Sequence, residues 1–98
     1  MIYALLLEDS KYYVGHTSRA LELRIEEHLS GKKKTSWLTL YKPIKVIESM
    51  EGDKKDEKEL TLKYMLLYGW ENVRGGPLTG KNINYPQDLT KDYVIIDD

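Results

Sequence analysis

Ile2-Tyr3-Ala4-Leu5-Leu6-Leu7-Glu8-Asp9-Ser10-Lys11-Tyr12-Tyr13-Val14-Gly15 is the stretch from which the fold is read. Ile2 to Glu8 is mostly apolar and rich in strand formers, and Lys11 to Gly15 is a second short run carrying paired aromatic rings. Between them stand Asp9 and Ser10, whose side chains close turns by bonding to nearby backbone. Together these predict a β-hairpin. Downstream, Leu21, Ile25 and Leu29 recur with the spacing of one helix face, so Ala20 to Leu29 reads as an amphipathic helix with Ser18 as N-cap and Gly31 as its stop. Arg24 and His28 lie on the stripe beside that face, about 100° around the axis from Ile25 and Leu29.

Thr35 or Ser36 would cap a short helix through Trp37, Leu38 and Leu40, which must stop before Pro43. Ile44, Val46 and Ile47 read as a third strand. Glu51-Gly52-Asp53 then turns into a helix whose early carboxylates, Asp53, Asp56, Glu57 and Glu59, suit its positive end. That helix runs to about Tyr68 and stops at Gly69, and Asn72 to Gly76 with Pro77 punctuate the exit. Tyr93 to Ile96 reads as an edge strand or a satellite of the core. The expected architecture is a compact α/β domain with a small, three-stranded, mainly antiparallel sheet flanked by helices. Residues 1–76 would form that domain, and 77–98 an extension packed on it or partly flexible.

A chain of 98 residues supports one modest core, so any site should be an open surface cleft. The absence of cysteine removes disulfides, thiol nucleophiles and cysteine-based zinc sites, and no phosphate-loop glycine pattern or Ser/His/Asp arrangement is present. The longest apolar run, Ala4 to Leu7, is far too short for a membrane span, which leads us to expect a soluble, intracellular protein. The net charge of −1 conceals +5 over residues 10–45, from Lys11, Arg19, Arg24, Lys32, Lys33, Lys34, Lys42 and Lys45 against Glu22, Glu26 and Glu27. This block is either an anion-facing surface or ordinary solvated scatter. Tyr3 and Tyr13 on the hairpin, Arg24 and His28 on the next helix, and an acidic helix start form a set suited to phosphodiester hydrolysis. That reaction needs a group to activate water, a cation for the phosphate, and a carboxylate for a divalent metal.

With Ile2-Tyr3-Ala4, then Tyr13-Val14-Gly15 ten residues later, then Arg24-Ile25-Glu26-Glu27-His28, the chain resembles the GIY-YIG nuclease domain over residues 1 to about 76. The tract from Ser36 to Pro43 adds to this. Tyr64-Met65 through Asn72-Val73-Arg74-Gly75-Gly76 resembles a stand-alone, often virus-associated branch. The resemblance implies a metal-dependent endonuclease hydrolysing DNA phosphodiester bonds. Tyr3 and Tyr13 would line the site, one as general base or water-positioning group and the other in support. Arg24 would contact the scissile phosphate, and His28 would donate to it or hold the nucleophilic water. The family's metal-binding glutamate falls near Thr61, so Glu57, one turn earlier on the face of Thr61 and Tyr64, would hold Mg²⁺ or Mn²⁺. Glu59, about 160° around the helix from Glu57, is the alternative ligand.

Gly15, His16, Lys32, Lys33, Lys34 and Arg74 would contact DNA, with Lys42 and Lys45 adding contacts that carry no sequence information. Gly15 would do so by letting phosphate approach the backbone, and Arg74 by reaching out of a glycine-rich loop. Besides Thr61 near the expected glutamate, two positions depart from the family pattern. Met1 stands in place of its first glycine, and His16 in place of a frequent lysine, exchanging a permanent cation for a side-chain type that titrates near neutrality. The residues after Gly76 are too few for a DNA-reading module, so targeting would come from a separate domain or partner protein. The alternative reading is a catalytically degenerate member that binds nucleic acid or protein.

Overall fold

A computed structural model describes residues 1–31, 36–80, 83, 84, 86 and 89. The predicted hairpin is present as β1 (Ile2–Leu7) and β2 (Lys11–His16), antiparallel in a register that sets Tyr3 opposite Gly15 and Leu7 opposite Lys11. Asp9 makes the reversal with a left-handed backbone, φ 60°, a conformation that aspartate tolerates better than most residues. Strand alternation then sorts the side chains. Ile2, Ala4 and Val14 enter one core with Leu60, Tyr64, Met65, Val73 and Leu89, while Tyr3, Leu5, Leu7 and Tyr13 enter a second with Trp37 and Leu38.

Helix α1 (Leu21–Ser30) differs from expectation at its start and in the face it buries. Its N-cap is Ala20, without a side-chain cap, whereas Thr17 rather than Ser18 organises the approach by accepting from the Arg19 amide at 3.0 Å. Leu29, expected in the core, is 61% exposed, and the buried residue is its neighbour His28 at 2%. Leu21 and Ile25 are only partly buried. The helix is therefore rotated to turn a polar stripe inward, which hydrophobic periodicity does not anticipate. Gly31 ends it with φ 85°, as predicted.

After α2 (Ser36–Leu40), β3 (Pro43–Met50) pairs antiparallel with β1, with two register irregularities, and leaves Ile44 and Ile47 well exposed at the sheet edge. Helix α3 (Lys54–Tyr68) begins with a capping box. Asp53 accepts from the Lys55 and Asp56 amides at 3.0 and 3.1 Å, and the Asp56 carboxylate accepts from the Asp53 amide at 2.9 Å.

A fourth strand, β4 (Val73–Gly75), corrects the expected sheet: the order is β3-β1-β2-β4, and β4 runs parallel to β2. Its three residues lie in the tract read as a loop exit, because the glycines resemble turn punctuation and three positions are too few to show alternation. The parallel pairing is open to it because the long intervening chain returns it to the same end of the sheet. Beyond Gly76, Leu78 and Ile83 pack partly buried on the α3-side core, and Leu89 is buried in it. Tyr93 to Ile96, expected as an edge strand or satellite, lie outside the described residues, as do Lys32 to Thr35. Among the described residues, no helix is long and apolar enough to cross a membrane.

Candidate active site

The ladder position of Tyr3 determines the centre of the site. A Cβ at Gly15 would overlap the Tyr3 ring, so the missing side chain makes room for the phenol to lie across β2. At Gly15 the space a Cβ would take is filled by this aromatic ring. Seated there and 1% exposed, Tyr3 shares a hydrogen bond of 2.8 Å between its hydroxyl and His28 Nε2. Tyr13 completes a triangle of rings, with centroids 6.5 Å from Tyr3 and 5.7 Å from His28, and Tyr3 lies 6.0 Å from His28. Strand periodicity puts both tyrosines on one face of the hairpin, and α1 lays His28 over them.

One turn before His28 on α1, Arg24 places a buried Nε that has no hydrogen-bond partner among the described residues. Its Nη1 lies 3.9 Å from Glu27, which also pairs with Arg19. A buried guanidinium donor without an acceptor costs stability, and such donors are rare in native proteins. Glu57 stands partly buried in the first turn of α3, beside Lys58, whose backbone faces Gly76. Burial pushes its carboxyl above the usual carboxylate range, while His16, Lys54, the Gly76 amide and Arg24 pull it back down.

Burial raises the phenol pKa of both tyrosines. The neighbouring Tyr13 and the charge of Glu57 add to this at Tyr3, Glu57 adds to it at Tyr13, and Arg24 opposes it at both. The fields of Arg24 and Glu57 thus reach both phenols. At neutral pH the two hydroxyls are protonated: they offer hydrogen-bond donors and are not standing bases.

Tyr3, Tyr13 and His28 are therefore in ring contact, Arg24 stands one turn before His28 on α1, and the charges of Arg24 and Glu57 act on both phenols, while His16 acts on Glu57. Glu59 is not part of this set. That residue is exposed and lines a different groove with Ile2, Met50, Asp56, Leu60 and Lys63. Arg74 is also corrected. Rather than reaching outward from a loop, it is 4% exposed and donates to the carbonyls of Gly80, Trp70 and Val73. Lys42 and Lys45 are exposed near the start of β3, and Lys32 to Lys34 lie outside the described residues.

Two contributors escaped sequence reasoning. The Gly76 amide carries no side-chain signature, although its glycine pair marked a close approach. Glu27 was legible as an i,i+3 partner of Arg24 but not as the bridge to Arg19.

One carboxylate, with room for waters and substrate oxygens, is a donor set that a hard divalent cation accepts. Glu57 fits that role because burial disfavours its bare charge, and a bound cation would offset this. Among the described residues no cluster of three or more His, Asp or Glu side chains competes for it. A family model for the GIY-YIG catalytic domain matches residues 1–72. No curated protein and no solved structure matches the chain.

Proposed function

Since the chain belongs to the GIY-YIG family, a family of nucleases, we propose that it is a metal-dependent endonuclease that hydrolyses DNA phosphodiester bonds at the Tyr3–Tyr13–Arg24–His28–Glu57 cluster. The observation that carries this reading is a partly exposed Arg24 guanidinium on the same helix as His28, whose ring is bonded to the protonated Tyr3 phenol and packed on Tyr13, with the field of Glu57 reaching both phenols. A phosphate oxygen meets the exposed part of the Arg24 side chain, and the planar guanidinium stabilises the charge that grows there during attack.

In this mechanism the oxygen of a water bonds to phosphorus as one P–O ester bond breaks. Tyr3 holds that water. As the water gives up a proton to the Tyr3 oxygen, the phenol passes its own to His28 Nε2 across the 2.8 Å hydrogen bond, in the tautomer that leaves Nε2 unprotonated. This relay avoids a free tyrosinate, which burial disfavours. Tyr13 packs against both rings and donates to the phosphate. Glu57 would hold Mg²⁺ or Mn²⁺, which when bound polarises the phosphate and offsets the departing oxygen's charge. Specific targeting is assigned to a separate domain or partner protein, since the cluster contacts phosphate and reads no base.

The test is incubation of purified protein with supercoiled, branched and single-stranded DNA, with Mg²⁺ or Mn²⁺ and with chelator. Cleavage of at least one form that chelator stops is the expected result. Retention of DNA on a filter at low salt without any cleavage under these conditions would replace this reading with the degenerate binding module.

A further inference from the structure

Between α1 and β3 runs a groove of about 420 Å³ lined by Leu21, Glu22, Ile25, Glu26, Leu29 and Val46. Its floor is apolar. Leu21 and Ile25 lean on the core of Tyr3, Trp37 and Leu38, whereas Leu29 and Val46 belong to neither core and are 61% and 38% exposed. The register of two elements produces this trough. Because α1 turns His28 toward Tyr3, Leu29 is carried about 100° around the axis, onto the side of β3. On β3 the ladder sets Val46 opposite Leu5, so its side chain points to the same side of the sheet as Tyr3, Leu5 and Leu7.

Charge and backbone together determine what fits there. Glu22 and Glu26 stand one turn apart along the rim, both exposed, and no ion pair engages either among the described residues. An apolar trough edged by two such carboxylates repels a phosphate backbone and attracts a cationic, amphipathic partner. The partner does not have to extend the sheet. β3 is an edge strand, but its pairing with β1 is irregular between Ala4 and Leu5 and between Leu6 and Leu7, and such bulges blunt an edge against an added strand. A helix laid in the groove needs no ladder, only apolar side chains at i, i+3, i+4 and i+7. From Leu21 to Leu29 is about 12 Å along α1, roughly two turns, and the spacing of Glu22 and Glu26 matches Lys or Arg four positions apart on the partner.

We propose that the α1–β3 groove is a docking site for an amphipathic helix of a partner protein, with its apolar face on Leu21, Ile25, Leu29 and Val46 and its lysines or arginines paired with Glu22 and Glu26. Arg24 and His28 lie on another stripe of α1, so the docked helix does not cover them. The proposal stands apart from the nuclease reading, and it gives a separate targeting protein its point of attachment.

The probe is a synthetic peptide helix of leucine and lysine, with leucine at i, i+3, i+4 and i+7, beside a peptide with the same leucines and glutamate in place of lysine. Affinity is read by fluorescence anisotropy and location by backbone amide shifts, with sedimentation velocity and circular dichroism on every variant. The lysine peptide should bind and shift amides of α1 and β3 but not of α3, and the glutamate peptide should not bind. Leu29→Ser, at an exposed position that the fold does not need, and the pair Glu22→Lys with Glu26→Lys should each weaken binding by about tenfold, the scale of losing one interface anchor. The pair Glu59→Lys with Glu71→Lys, the same charge change at exposed positions outside the groove, should leave affinity within about twofold, since salt screens distant surface charges. Absence of binding overturns the proposal. So does binding that the control pair weakens as much as the rim pair, or that spares the α1 and β3 amides, because general charge attraction then accounts for it. A wild type that self-associates while Leu29→Ser is monomeric overturns it too, and gives the groove to a second copy of this chain.

Discussion

Tyr3 and Gly15 face each other across the β1–β2 ladder, and the phenol ring occupies the space that a Cβ at position 15 would need. One glycine thus decides where the most buried polar group of the cluster sits. Gly15→Ala should force the ring aside, costing about 1–3 kcal/mol as overpacking does, and should abolish cleavage by displacing the Tyr3 hydroxyl from His28. Urea denaturation with a parallel cleavage assay reads both effects. A variant of wild-type stability and activity would show that the ring adapts without consequence.

The hydrogen bond between Tyr3 and His28 separates packing from chemistry. Tyr3→Phe keeps the ring and removes the hydroxyl, so stability should fall by only about 1 kcal/mol while cleavage falls by roughly 10²–10⁴-fold. Single-turnover rates beside denaturation curves make the comparison. Proportionate losses in the two would mean that the hydroxyl is structural and the proton relay is wrong.

Glu57 gives a stability effect of opposite sign to its functional one. Burial raises its folded pKa above the unfolded value, so its ionised form at neutral pH costs stability, and that cost is relieved as pH falls through the raised value. Glu57→Gln should therefore melt at neutral pH no lower than wild type, lose the relief on the acid side, and cleave nothing. Thermal melts from neutral pH to about pH 4, below the ordinary glutamate range, test the sign. A neutral-pH Tm several degrees below wild type would show that the charge is stabilising and that the groups opposing burial outweigh it.

The hairpin was legible because two strand-forming runs flank a turn dipeptide, and α3 because its capping residues sit where a helix start needs them. Those are local signals. What sequence could not convey depended on long-range contacts. Leu29 continued the apolar period of α1, yet the helix turns His28 inward because Tyr3 offers its hydroxyl there. Val73 to Gly75 read as a loop exit because parallel pairing with β2 involves residues about sixty positions away. Arg74 looked like a surface cation in a glycine loop, and only the tertiary placement of Trp37 and the Gly80 carbonyl accounts for its burial. Of the clustered side chains, the tyrosine triplets and the Arg24–His28 register were visible in the sequence. The preference for Glu57 over Glu59 rested on helical phase, and the structure places Glu59 in a separate groove.

Arg24 carries the central claim, and the most direct measurement is the Mg²⁺-dependent cleavage rate of Arg24→Ala beside wild type at matched DNA saturation. Removing a buried donor that lacks an acceptor should leave Tm equal or slightly higher, while cleavage falls by about 10²–10³-fold, the usual scale for losing a group that stabilises developing charge. Cleavage by Arg24→Ala at the wild-type rate, with the same metal dependence, would contradict the account and place the phosphate elsewhere.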